Sequence, residues 1–127
     1  MVICDTNVIS KYLEDVPDVI RNIDIIGIKN VAITPIVLIE LNKWLSVFKG
    51  IDKPTRRMYK VFFEKLNMLH INEEISKLSV EISKKDNSLD PTDILIGATG
   101  IYYNIPVYTY NIKHFKLIKD IALYQEK

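Results

Sequence analysis

Short apolar runs that stop abruptly at small polar residues constrain this chain more than any other feature. Val2-Ile3-Cys4 halts at Asp5-Thr6-Asn7, Val31-Ala32-Ile33 at Thr34-Pro35, and the run from Val107 to Thr109 just before Asn111. Val2 to Cys4 does not alternate apolar with polar residues, so it predicts a strand buried on both faces, as in a parallel sheet. Longer segments of helical period separate these runs: about Val8 to Leu13, Pro17 to Gly27, Pro35 to Phe48, a stretch opening near Pro54, Glu73 to Lys85, and Pro91 to about Tyr103. Two weaker strands are predicted at Met68 to Ile71 and, at a sheet edge, Ile121 to Tyr124. Strands alternating with helices predict an α/β domain with a mainly parallel sheet.

At 127 residues the chain fits one domain, residues 1–127, with no linker or internal repeat. With 48% hydrophobic and 26% charged residues it can bury a sizeable core, which excludes disordered, collagen-like and coiled-coil classes. Seventeen basic and sixteen acidic residues leave a formal charge of +1, so a nucleic-acid partner would have to be recognised through a local patch. The one clear patch is the helix after Pro54: residues 49–65 hold six basic and two acidic side chains, among them Arg56, Arg57 and Lys60. No apolar run approaches the 18 or more residues of a spanning helix, and no secretory leader is evident at Met1, so no membrane association is expected. The lone Cys4 excludes an internal disulfide and, with these absences, predicts a cytoplasmic protein.

In parallel sheets the functional crevice lies beyond the carboxyl ends of the strands, so polar residues there are the first candidates for a site. Asp5 is either a cap for the following helix or a site residue. Glu40, on the helix from Pro35, is expected to share a face with Ile36, Val37, Trp44 and Val47, where an unpaired carboxylate is costly. Its compensation would be Lys43, a bend that lets it reach water, or a metal ion. Asp93 follows Asp90-Pro91, so Asp90 can cap that helix and leave Asp93 for function. Gly97 and Gly100, each costing about 1 kcal/mol in a helix relative to alanine, predict close packing against the sheet. Asn111 is either a cap for Ile112 to Leu117 or a polar group at another strand end.

Carboxylates converging in one crevice need a cation, and an oxygen-only site suits Mg²⁺ or Mn²⁺ rather than Zn²⁺. Such sites favour phosphoryl transfer through one or two ions. The chain has no phosphate loop, no nucleophile elbow and no Cys/His zinc spacing; His70 and His114 read as a strand-end and a surface residue.

Four blocks together carry a family resemblance: Val2-Ile3-Cys4-Asp5-Thr6-Asn7-Val8, Thr34-Pro35-Ile36-Val37-Leu38-Ile39-Glu40-Leu41, Pro91 to Thr99, and Val107-Tyr108-Thr109-Tyr110-Asn111-Ile112-Lys113-His114-Phe115. In this order and spacing the chain resembles a PIN-domain ribonuclease, close to the VapC toxins of toxin–antitoxin pairs. The resemblance implies an α/β/α sandwich and Mg²⁺- or Mn²⁺-dependent endonucleolytic cleavage of RNA, with Asp5, Glu40 and Asp93 as metal-binding acids. It further implies a homodimer and inhibition by a cognate antitoxin. Asn7, Thr109 and Asn111 would form a polar surround to the acids. Apart from the resemblance, the clustering of Arg56, Arg57 and Lys60 on one helix marks either a contact with the RNA backbone or a solvated surface face. Where many relatives carry a fourth acid near the Thr-x-Asn block, this chain has Asn111 and, three residues on, His114, which leaves open one ion or two. Two rivals remain: a metal-free binding module on the same fold, and a haloacid-dehalogenase-like phosphatase, against which Asn7 stands where a second aspartate would be needed.

Overall fold

A computed structural model describes residues 1–127. Its elements are β1 (Val2–Cys4), α1 (Thr6–Leu13), α2 (Pro17–Ile26), a single 3-10 turn (Ile28–Asn30), β2 (Val31–Ile33), α3 (Pro35–Val47), α4 (Lys53–Lys65), β3 (Asn67–Met68), α5 (Glu73–Lys85), α6 (Pro91–Tyr103), β4 (Val107–Tyr108) and α7 (Ile112–Phe115). The sheet runs β3-β2-β1-β4 and every pair is parallel, with Val2 opposite Val31, Ile3 opposite Val107 and Ala32 opposite Asn67. All residues of β1 and β2 are buried. Because successive strand side chains point to opposite faces, helices must cover the sheet on both sides, the α/β/α arrangement expected.

The helices begin where local chemistry starts them. The side chains of Thr34, Asp52, Asn72 and Asp90 accept from backbone amides in the first turns of α3, α4, α5 and α6. Proline stands in the first turn of α2, α3, α4 and α6, where its missing N–H costs nothing. At its far end α6 is closed by Asn104 in the left-handed conformation, φ 55°. The core joins β1, β2 and β4 to Val8 and Ile9 of α1, Val37, Leu41 and Leu45 of α3, Ile75 and Ile82 of α5, and Ile94, Ile96 and Ala98 of α6.

Several boundaries differ from the sequence expectation. Helix α1 starts at Thr6 rather than Val8, because Asp5 itself caps it. The strand placed at Met68 to Ile71 is Asn67–Met68: the Asn67 amide donates to the carbonyls of Lys29 and Val31 at 2.7 and 2.9 Å, and pairing ends with Leu69 N–H on Ile33 O. The edge strand expected over Ile121 to Tyr124 is a single bridge between Leu123 and Val107. Beyond it the Tyr124 hydroxyl and Lys127 amide both donate to Asn22 Oδ1 on α2, drawing the tail off the sheet edge. Of the two glycines of α6, only Gly100 faces the sheet: a Cβ there would meet Ile105 O and Val107 Cγ2 at 2.9 Å, whereas one at Gly97 would meet Ile118 Cδ1 at 2.6 Å. Cys4 is a free thiol, fully buried. No helix is long and apolar enough to cross a membrane.

Candidate metal centre at the strand ends

Asp5 follows β1 directly and is 7% exposed. Its Oδ1 accepts from Thr6 N–H at 2.8 Å and its Oδ2 from the Thr109 hydroxyl at 2.8 Å. The residue is thus both a helix cap and a wall of the crevice. Burial pushes its carboxyl above the usual aspartate range; the bonds from Thr109 and Thr6 oppose this, and the Glu40 charge adds to it.

Glu40 lies half-buried on α3, one position away from where its apolar neighbours suggested. The buried stripe of α3 is Val37, Leu41 and Leu45, while Val47 is 73% exposed. Leu41 therefore takes the core position, and Glu40 stands at its edge towards α1, where the Thr6 hydroxyl donates to Oε1 at 2.6 Å. Thr6, rather than Lys43, is its hydrogen-bond partner.

Asp93 occupies the first turn of α6, with Asp90 as the cap bonded to Thr92 N–H. The Asn111 amide donates to Asp93 Oδ2 at 2.9 Å, and Asn111 Oδ1 lies 2.6 Å from His114 Nδ1. An amide oxygen carries no hydrogen, so this contact places the proton on Nδ1 of His114. Asn111 holds the N-cap position of α7 but makes no side-chain cap bond; its side chain is spent on Asp93 instead. The Asp93 carboxyl is pushed up to about 6, by burial first and then by the charges of Asp5 and Asp90, against the Asn111 bond and His114.

These residues enclose a cavity of about 480 Å³. Of the sequence candidates, Asp5, Asn7, Glu40, Asp93 and Asn111 line it; Thr109 stands behind Asp5, and its hydroxyl also accepts from Asn111 N–H at 2.9 Å. Asp90 brings the acids in the lining to four, and no lysine or arginine is among them. Asn7 Oδ1 is buried without a hydrogen-bond partner. Arg56, Arg57 and Lys60 do not line the cavity. The Arg56 guanidinium instead donates to the carbonyls of Leu45 and Phe48 at the end of α3, and Arg57 borders a separate apolar groove with Met58 and Val61. Thr6 and Tyr110, which the sequence did not single out as site residues, both belong to the lining. Their adjacency to Asp5 and to Thr109-Asn111 was the available signal.

A parallel α/β sheet with a carboxylate crevice at its strand ends defines an open α/β domain with its site in the usual place for that architecture. The model of the PIN domain family matches residues 2–120, and the chain belongs to that family. It is 28% identical over 126 residues to Ribonuclease VapC1 of Methanocaldococcus jannaschii, covering 96% of this chain and 84% of that one. To Ribonuclease VapC2 of Rickettsia felis it is 27% identical over 125 residues, covering 94% and 92%. Its fold is similar to the crystal structure of VapBC2 from Rickettsia felis bound to a promoter DNA fragment, with TM-score 0.82, 24% identity and full coverage of both chains.

Proposed function

We propose that this chain is a divalent-metal-dependent endoribonuclease and the toxin of a toxin–antitoxin pair, with Asp5, Glu40 and Asp93 as the acids of its site. The observation that carries this reading is the convergence of those three carboxylates, from three separate segments of the chain, in one crevice without a lining cation. Membership of the PIN domain family and two relatives named as VapC ribonucleases support the reaction class.

The donor set fits Mg²⁺ or Mn²⁺. It is all oxygen, it includes the unpartnered Asn7 Oδ1, and neighbouring acid charges raise the proton affinity of Asp5 and Asp93. No three His, Cys, Asp or Glu side chains form a ready-made cage. In this reading the ion would take one or two of the carboxylates, and waters and substrate phosphate would complete its shell. Bound there, the ion would neutralise phosphate charge and acidify water. The chain's own residues do the positioning. Thr109 and Thr6 N–H fix both oxygens of Asp5, Thr6 fixes Oε1 of Glu40 and leaves Oε2 as a free acceptor, and Asn111 fixes Oδ2 of Asp93 and leaves Oδ1 free. Asn111 offers an amide where the family resemblance implied a fourth acid, so in this reading the site holds one ion tightly and a second is recruited only by RNA phosphate.

The active form in this reading is a cytoplasmic homodimer of single-domain chains, each spanning residues 1–127, silenced by a cognate antitoxin. The test is cleavage of a structured RNA pool by antitoxin-free protein with Mg²⁺, Mn²⁺ or EDTA, beside Asp5→Asn and Asp93→Asn. Metal-dependent fragments lost in both variants, with their folds intact by circular dichroism, are expected. Turnover retained by either variant removes that acid from the site; no wild-type cleavage and no ion binding by calorimetry leaves a metal-free binding module.

A further inference from the structure

The acid crevice has one aromatic wall. Tyr110 lies between Thr109 and Asn111, lines the same cavity as the acids, and is 37% exposed. Its far end is anchored. The hydroxyl donates to Glu126 Oε2, an oxygen that also accepts from the hydroxyl of buried Tyr108 at 2.6 Å. The tail carrying Glu126 is itself fixed, by the bridge from Leu123 to β4 and by the two bonds to Asn22. The Tyr108 ring sits 6.0 Å from that of Tyr110 and 4.8 Å from that of Tyr124. Burial and the Glu126 bond push both hydroxyls above the ordinary tyrosine range, so both stay donors at neutral pH. Close by, Lys11 of α1 places its ammonium over the Tyr110 ring, 5.5 Å from the centroid.

This arrangement answers a difficulty in the site. A crevice lined by acids repels the phosphates that flank the bond to be cut, and a single ion neutralises only its centre. An aromatic face attracts a base whatever its identity, and a cation just outside the acid ring can take a neighbouring phosphate. A ring already held in place loses little freedom when a base settles on it.

We infer that Tyr110 and Lys11 form a nucleotide subsite at the mouth of the crevice, the tyrosine ring stacking on a base beside the scissile bond and the lysine ammonium contacting a phosphate. The inference rests on the ribonuclease reading above and adds substrate contacts to it. Glu126 is the positioning residue, acting through the Tyr110 hydroxyl.

The experiment measures kcat and KM on a short single-stranded RNA cut by the wild type, and on the same RNA with an abasic nucleotide at each position flanking the cut. Tyr110→Ala is expected to raise KM about tenfold with kcat within about twofold. Tyr110→Phe, which keeps the ring and loses the Glu126 bond, falls between wild type and alanine. Lys11→Gln flattens the salt dependence of log KM by roughly 0.7, one single-strand phosphate contact. At one flanking position the abasic substitution should erase the difference between wild type and Tyr110→Ala, a result that a general structural defect would not produce. Cleavage by wild type with KM unchanged in Tyr110→Ala, or a KM defect that persists at every abasic position, overturns the subsite alone. A wild type that cuts no RNA overturns the ribonuclease reading and the subsite with it.

Discussion

Replacing Asp93 by asparagine should make the metal-free protein more stable at neutral pH. The Asp93 carboxyl is pushed up to about 6 from its ordinary 3.8, so between those values the folded chain holds a proton that the unfolded chain releases. Wild-type stability therefore falls as pH rises from about 4 to about 6, and above that range the full penalty remains. The gap corresponds to roughly 3 kcal/mol; Asp93 is only half-buried, and solvent screening reduces this to about 1 to 2 kcal/mol. The substituted asparagine would carry no charge and would still offer an oxygen to the Asn111 amide that now bonds Asp93 Oδ2. In EDTA at pH 7.5 the Asp93→Asn variant should melt about 4 to 8 °C above wild type, the gap closing near pH 4. Asp5, whose carboxyl is raised in the same direction, contributes a fall with pH in both proteins. Millimolar Mg²⁺ should stabilise wild type more than the variant. A gap independent of pH, or a variant less stable than wild type at pH 7.5, would refute the claim that burial and the neighbouring acids make the ionised Asp93 costly in the fold.

The remaining predictions use the same fold. Gly100→Ala should destabilise by about 1 to 3 kcal/mol in urea titration, since the new Cβ meets the Ile105 carbonyl and Val107 of β4. Gly97→Ala should cost less, because the obstructing atom is the tip of Ile118 and the helix gains about 1 kcal/mol of propensity. Thr109→Val removes a hydroxyl that donates to buried Asp5 and accepts from Asn111 N–H, with an expected loss of about 1.5 to 3 kcal/mol and a sharp drop in cleavage. If the α4 surface binds RNA, Arg57→Gln with Lys60→Gln should lower the salt slope of binding by roughly 1.4. Arg56→Gln should instead lower the melting temperature, because that guanidinium caps the carbonyls of α3.

Features written in local chemistry were readable in the sequence. Thr34-Pro35 and Asp90-Pro91 open helices because a capping side chain and a proline act within one turn, and Glu73 to Lys85 announces itself by period alone. The sheet edges were not readable: β3 is settled by the Asn67 amide reaching Lys29 and Val31, and the tail by Asn22, partners about 40 and 100 residues distant. The face of Glu40 was misjudged because α3 carries apolar residues around much of its circumference, including the exposed Ile39 and Val47, so neighbours at helical spacing do not mark the core. Asp5, Asp93 and Asn111 could be placed at strand and helix ends, and Glu40 within the helix after Pro35, from sequence alone. Their pairings with Thr6 and with each other could not, because side chains meeting across elements leave no period to read.

Strand β1 lies inside the sheet, flanked on one side by Val31–Ile33 and on the other by Val107–Tyr108. Of the four strands, the one that leaves the ribosome first thus waits for the one that leaves last before its second flank is closed. Thr109 and Asn111, which hold Asp5 and Asp93, arrive with that late strand. A nascent or truncated chain lacking it would contain all three acids but neither of the groups that aim two of them, so the arrangement of the acid crevice is withheld until β4 has been made and has docked.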